Sequence, residues 1–471
     1  MATAVNGWDF VLLFAYISAA LLLAAFFRKQ FSFFQRMMVP TAIIAGLIVL
    51  LCSGQIFGIM NISLDHLNIV VYHLLTGIFI LIGLKGGRQK YRRAVLTTTV
   101  MIGQGYAIMA LTGCIFTLIW IRALFPGFFP SFSMLPLLGF GFDQMTATGI
   151  GLQWEQAGFI GGGRAAFSFG VMGLFWAYLG GVIMILWARK GQEKCNIVPS
   201  LSPGARQGVI PRDSEKPVGG RLTTATEALE SLALHLALIG LLYLLTFSSM
   251  SQIIAWLGRF GSAGGLFGGL LWNYNFLFGL FMGYLARKII DWLNVGYLFD
   301  GGTLQRITGA MVDYMIAAAL AALPLLIYAS YWVEVVMLSL ISGLALAFFA
   351  YYASRKMHRE HQLARSVALF GYLTGTIAAS MALLRMVDPE FDSPAAEDLG
   401  WSGGLSLLIG VPLLLLVNYP FYGFIAEEPL RYLLITLGLF AAYGLLLSLI
   451  WFVWNRAAAK NNKVVQPDSD Q

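Results

Sequence analysis

Eleven apolar stretches restrict this chain to one kind of environment. They run near residues 10–27, 37–53, 68–84, 94–122, 165–188, 231–247, 264–286, 305–328, 331–353, 402–420 and 430–454. A helix needs roughly 20 apolar residues to cross a hydrocarbon core of about 30 Å, and it must satisfy its own backbone there. The sequence therefore reads as an all-α polytopic membrane protein. Charge agrees, because only 11% of residues are charged against about 25% in soluble domains. The net charge of +7 invites an acidic partner. Lys and Arg, however, gather in short loops between the stretches, where they set orientation, so no nucleic-acid partner is expected. Cys52, Cys114 and Cys195 match no metal spacing and imply no disulfide framework. The first apolar stretch follows a terminus without a basic region, so it reads as a span and not as a cleaved signal.

Two further apolar stretches, 131–152 and 364–386, are interrupted by glycines and polar groups. The first contains Phe140-Gly-Phe-Asp-Gln-Met-Thr-Ala-Thr-Gly149, the second Phe370-Gly-Tyr-Leu-Thr-Gly-Thr376. Broken backbone at membrane depth is tolerated only inside protein or along a cavity, and secondary transporters hold substrates and ions on such segments. Basic clusters near residues 28–36, 85–93, 189–221, 287–288, 355–359 and 456–463 fall on one side only if both stretches dip in and return. The N-terminus is then outside and the C-terminus cytoplasmic. Residues 1–188 form a first repeat of five spans with a re-entrant segment, and 230–421 repeat that plan from the opposite side. Residues 189–229 are a flexible cytoplasmic linker, and 422–471 an extra transmembrane helix with a cytoplasmic tail.

With these residues placed, the chain resembles the glutamate:sodium symporter family of the bacterial inner membrane. The likeness runs through FSFFQRMMVPTAIIAGLIVLL (31–51), LLTGIFILIGLKG (74–86), LLGFGFDQMTATGIGLQWEQAGF (137–159) and FGYLTGTIAASMALLRMVDPEFDSPAAEDL (370–399). It covers about residues 10–420, as a divergent longer member. The resemblance implies two inverted five-span repeats, Na⁺ as coupling ion and L-glutamate as substrate. It also implies a homodimer in the lipid bilayer, with one unit moving against a dimerising scaffold.

Within the first interrupted stretch, Asp143, Thr146 and Thr148 supply oxygens that suit a hard cation, and Gln144 a polar contact for substrate. In the second, Tyr372, Thr374, Gly375 and Thr376 offer hydroxyls and a bendable backbone beside an anionic group. Arg385 is the candidate clamp for its carboxylate, with pairing to Asp388 as the other reading. Ser380 joins the ion-binding set. Asp313, inside the stretch 305–328, is costly unless paired, and Na⁺ or H⁺ coordination is its functional reading. His73 reads as a hydrogen-bonded core imidazole. Gln104, Tyr106, Asn273 and Asn275 read as interhelical hydrogen-bond formers. Gly261, Gly264, Gly265, Gly268 and Gly269 read as a helix-packing face. His358 and His361 read as part of a solvated loop.

The reading is a secondary active transporter, an Na⁺-coupled symporter of glutamate or a related small carboxylate. A different organic anion or amino acid with H⁺ coupling stays open, as does a channel or a non-transporting sensor on the same fold. An intramembrane enzyme is disfavoured, since no nucleophile–base or metal-ligand motif appears in the sequence.

Overall fold

The computed structural model describes residues 7–37, 39–85, 92–142, 144–156, 158–193, 208–214, 216–261, 271–324, 331–358 and 360–464, with the single positions 204 and 268. In chain order the helices are α1 (Gly7–Gln30), α2 (Ser32–Met37), α3 (Thr41–Cys52), α4 (Leu64–Lys85) and α5 (Arg92–Ala123). Next come α6 (Gln144–Glu155), α7 (Gly162–Phe175), α8 (Gly181–Glu193), α9 (Ser231–Leu257), α10 (Asn275–Trp292) and α11 (Gly301–Ala321). The series ends with α12 (Trp332–Met357), α13 (Gln362–Thr374), α14 (Ile377–Val387), α15 (Ala395–Val417), α16 (Tyr419–Ile425) and α17 (Pro429–Val464). Apart from one isolated bridge, Ser53–Met60, the described residues carry no β-pairing. Among the described residues, seven helices are long and apolar enough to cross a membrane, eight if the bent pair around Pro412 counts as one span. The protein is thus an all-α, multi-pass membrane protein.

Four expected spans differ. The stretch 305–328 yields α11, which ends at Ala321 and, carrying Arg306 and Asp313, is not among the helices apolar enough to cross. The stretch 37–53 yields only the 12-residue α3, about 18 Å long at 1.5 Å per residue, because Pro40 fixes its start and Ser53 turns extended at its end. The stretch 264–286 becomes helical without a break only from Asn275. Before it, Gly261 takes the left-handed φ of 76° and ends the preceding turn. Gly264, Gly265 and Gly269 lie outside the described residues, so the packing face expected of them cannot be placed. The stretch 402–420 bends by 46° at Pro412, where the missing N–H and the ring break the helical ladder.

The chain divides into two compact units, and neither coincides with one half of the sequence. The first unit comprises Met1–Tyr91, Val182–Leu325 and Ile377–Gly404. Its centre is α4, which packs on α10 and α11, while α3 packs on α1 and α11, and α9 on α10. The α4–α10 crossing is at backbone distance: a Cβ on Gly83 would meet the Leu280 carbonyl at 2.4 Å, and one on Gly283 the Ile80 carbonyl at 2.2 Å. At the α11 N-terminus, the Asp300 carboxylate accepts from the N–H groups of Thr303 at 2.7 Å and Arg221 at 3.1 Å. The Asp300 N–H in turn donates to buried His235. The end of the 189–229 segment is thus held against α9 and α11 where a freely flexible linker was expected. Slight desolvation opposes ionisation of Asp300, yet the two N–H groups hold it below the usual carboxylate range. His73 is exposed, bonded to the Tyr243 hydroxyl at 2.5 Å, and is not a core imidazole.

The second unit comprises Arg92–Gly181, Leu326–Thr376 and Leu405–Gln471. Here α5 packs on both α12 and α17, and α12 on α13. Gln104 donates to Ser448 at 2.9 Å, as expected of an interhelical bond, and Trp451 donates to Thr97 at 3.3 Å. The C-terminal helix α17 is therefore stitched along α5. His358 is buried and lies 3.4 Å from the Thr98 hydroxyl, so the solvated-loop expectation is corrected for that residue; His361 is exposed.

Two outcomes are expected. Gly83→Leu puts a side chain into the Leu280 backbone, and overpacking costs about 1–3 kcal/mol or more. It should abolish a monodisperse peak in gel filtration, while Gly54→Leu, in open space, should not. Burial, and then the Arg365 charge, push the His358 imidazole down to about 3. Below pH 6.5 the unfolded chain takes a proton that the folded chain refuses, so stability falls with pH by about 1.4 kcal/mol per unit. Thermal unfolding in detergent should lose more between pH 7 and pH 5 in the parent than in His358→Gln.

Candidate functional site

The first interrupted stretch lies in the second unit. Pro130–Met134 forms a 3₁₀ turn, and Leu137–Phe142 a π-helix. Pro136 cannot donate to a helical ladder, and Gly139 and Gly141 accept the wider turn. Asp143 lies outside the described residues. α6 then starts at Gln144. Thr148 donates to the Gln144 carbonyl at 2.6 Å, and Thr146 is half-buried on the same helix.

The second stretch is a broken helix. In α13, Thr374 donates to Phe370 at 2.7 Å, and the Gly375 N–H to Gly371 at 3.0 Å. Gly375 then leaves the helical region with φ −152° and ψ −109°. Thr376 is exposed, and α14 opens at Ile377. That break is also where the chain passes from the second unit to the first. Tyr372 bonds the buried Ser406 hydroxyl at 2.8 Å.

Both stretches meet α7. A Cβ on Gly170 would lie 2.1 Å from Cγ of Gln144, and one on Gly173 2.4 Å from the Thr374 carbonyl oxygen and 3.0 Å from the Phe140 ring. Gly170 and Gly173 share one face of a helix, so the Gln144 side chain and the end of α13 sit one turn apart on α7. Tyr106 of α5 stacks on Phe142 at 5.4 Å and holds the π-helix from the other side. Nε2 of Gln144 is buried and makes no hydrogen bond among the described residues. Such a donor costs about 1–3 kcal/mol until it meets an acceptor. Thr374 brings a carbonyl from the last turn of a helix, where such groups lack intrahelical partners. An amide donor and a carbonyl acceptor thus lie one turn apart along α7. Gly170 and Gly173 were not singled out in the sequence; their three-residue spacing in Phe169-Gly-Val-Met-Gly173 was the available signal.

Asp313, Ser380 and Arg385 belong to the first unit. Arg385 pairs with Asp313, Nε to Oδ1 at 3.6 Å, lies against Gly309 and donates to the Pro389 carbonyl. It does not pair with Asp388, whose oxygens accept from the N–H groups of Asp392 at 3.0 Å and Ser393 at 2.9 Å. Glu390 is bound to Arg306 at 3.3 Å, and its carbonyl accepts from Lys85 at 2.9 Å. Ser380 is fully buried. Asp313 therefore faces a cation of the protein itself. No protein family, no curated protein and no solved structure matches the chain.

If the pair is a structural unit, Asp313→Ala and Arg385→Ala should each lower the unfolding temperature, and the double variant should lose less than the sum. Four unfolding curves complete the cycle; strictly additive losses would show that the two side chains act independently.

Proposed function

We propose that this protein is a secondary active transporter coupling inward Na⁺ movement to uptake of L-glutamate or a related small carboxylate. One observation carries the reading: two interrupted helical segments, one from each half of the chain, lie on adjacent turns of α7. Transporters use discontinuous helices in this way, because backbone groups freed at the break replace the hydration of an ion or substrate. The buried Gln144 amide is a ready donor to a carboxylate, and the carbonyl end of α13 favours a cation. In this reading Thr146, Thr148 and Asp143 complete the ion-binding set, and Tyr372, Gly375 and Thr376 border the substrate.

Inverted repeats are part of the proposal, and the packing of the first unit supports them. Matching α1 to α9, α3 to α10 and α4 to α11 turns the α1–α3 contact into α9–α10 and the α3–α11 contact into α10–α4. The α4–α11 contact maps onto itself. A two-fold axis in the membrane plane would produce this exchange. The proposal also includes a homodimer in the bacterial inner membrane, N-terminus outside and C-terminus cytoplasmic. Arg385 enters it as a charge already shared with Asp313, so a substrate carboxylate would compete for a held guanidinium.

Reconstituted into sealed liposomes, the protein should accumulate labelled L-glutamate only under an inward Na⁺ gradient. Gln144→Leu should cut uptake at least tenfold with no loss in unfolding temperature. Absence of uptake under Na⁺, K⁺ and proton gradients, with the protein folded, would reject glutamate symport.

A further inference from the structure

Along α17 the second unit carries an open groove of about 890 Å³, lined by Met357, Leu445, Leu449 and Phe452 together with Gln104 and Ser448. Its lining runs from Ala442 to Phe452 on one helix, about 15 Å at 1.5 Å per residue. That is the hydrocarbon depth of one leaflet, half of a core of about 30 Å.

One end of the groove is basic. Met357 closes the last turn of α12, directly after the exposed Arg355 and Lys356. Arg456 lies one turn beyond Phe452, its guanidinium 4.3 Å from that ring, and is exposed. The bonds Thr97–Trp451 and Thr98–His358 hold the end of α12 and this part of α17 at neighbouring levels of α5. Among the described residues, no acidic side chain lines the groove. Within the lining, Oε1 of Gln104 is buried without a hydrogen bond among the described residues.

We infer that this groove binds an anionic phospholipid, one acyl chain along α17 and the phosphodiester between Arg456 and the Arg355–Lys356 pair. Charge complementarity and leaflet-length depth select this occupant. A neighbouring helix would satisfy the apolar wall but leave three cations at its end unanswered, and a zwitterionic lipid would bring its own cation to them. A basic residue near an anionic headgroup contributes about 1 kcal/mol, roughly fivefold in affinity.

The test uses the full-length, delipidated protein in a neutral detergent. Thermal unfolding is followed against phosphatidylglycerol, phosphatidylcholine of the same acyl chains, and chain-free glycerophosphoglycerol. Phosphatidylglycerol alone should raise the midpoint, and native mass spectrometry should find it retained. Arg456→Gln and Lys356→Gln should each raise the phosphatidylglycerol concentration needed for a given shift roughly fivefold. Leu449→Trp, which obstructs the middle of the groove and leaves the charges, should remove the shift. Equal shifts with phosphatidylcholine, a shift with the chain-free headgroup, or a crosslink from Leu449→Cys to a second copy would each overturn the assignment.

Discussion

Close approach of backbone to backbone is the interaction on which the rest depends. In hydrocarbon a broken helix leaves polar groups that no solvent can satisfy, so every interruption must be covered by protein. Here the covering is done by glycine faces. Gly170 and Gly173 let α7 lie against the α6 start and the α13 end, and Gly139 lets the π-helix lie flush on the same helix. In the first unit, Gly83 and Gly283 bring α4 and α10 together with no side chain between them. Remove those hydrogens in favour of methyl groups and the interrupted segments lose their support. Among the described residues glycine is therefore chiefly a packing device, with left-handed backbone needed at a few positions such as Gly261.

Charge inside the apolar regions is treated with equal economy. Asp313 and Arg385 come from stretches far apart in sequence and cancel each other, which lowers the cost of carrying either in a membrane protein. The Asp388–Ser393 turn satisfies its own N–H groups and is tied by Lys85 and Arg306 to the ends of α4 and α11. Such pairs set a condition on any transport reading. A substrate or ion that uses Arg385 or Asp313 must exchange with an existing partner, so its binding is a difference between two ionic contacts.

The C-terminal helix is an integral part of the second unit. Through Gln104, Thr97 and the close Gly103 and Gly444 positions, α17 docks along α5, the helix that also braces the π-helix through Tyr106. Its outward face stays apolar and exposed, from Leu445 through Val453, as a face turned to lipid requires.

Membrane class, helical content and the existence of two interrupted stretches were legible from the sequence, because they follow from local rules of apolar length, missing polar partners and glycine frequency. Gln104 as an interhelical donor was legible for the same reason: an amide within an apolar run must find a partner. Helix ends were less so. Pro40 shortened α3, and nothing local said that the chain between α9 and α10 would turn at Gly261. The pairing of Arg385 with Asp313 in place of Asp388, and the meeting of Gln144 and Thr374 on α7, could not be read at all. Sequence determines which groups cannot be left alone in a membrane; only the tertiary structure decides which partner each finds, since contacts across dozens or hundreds of residues are set by how helices pack and not by their spacing along the chain.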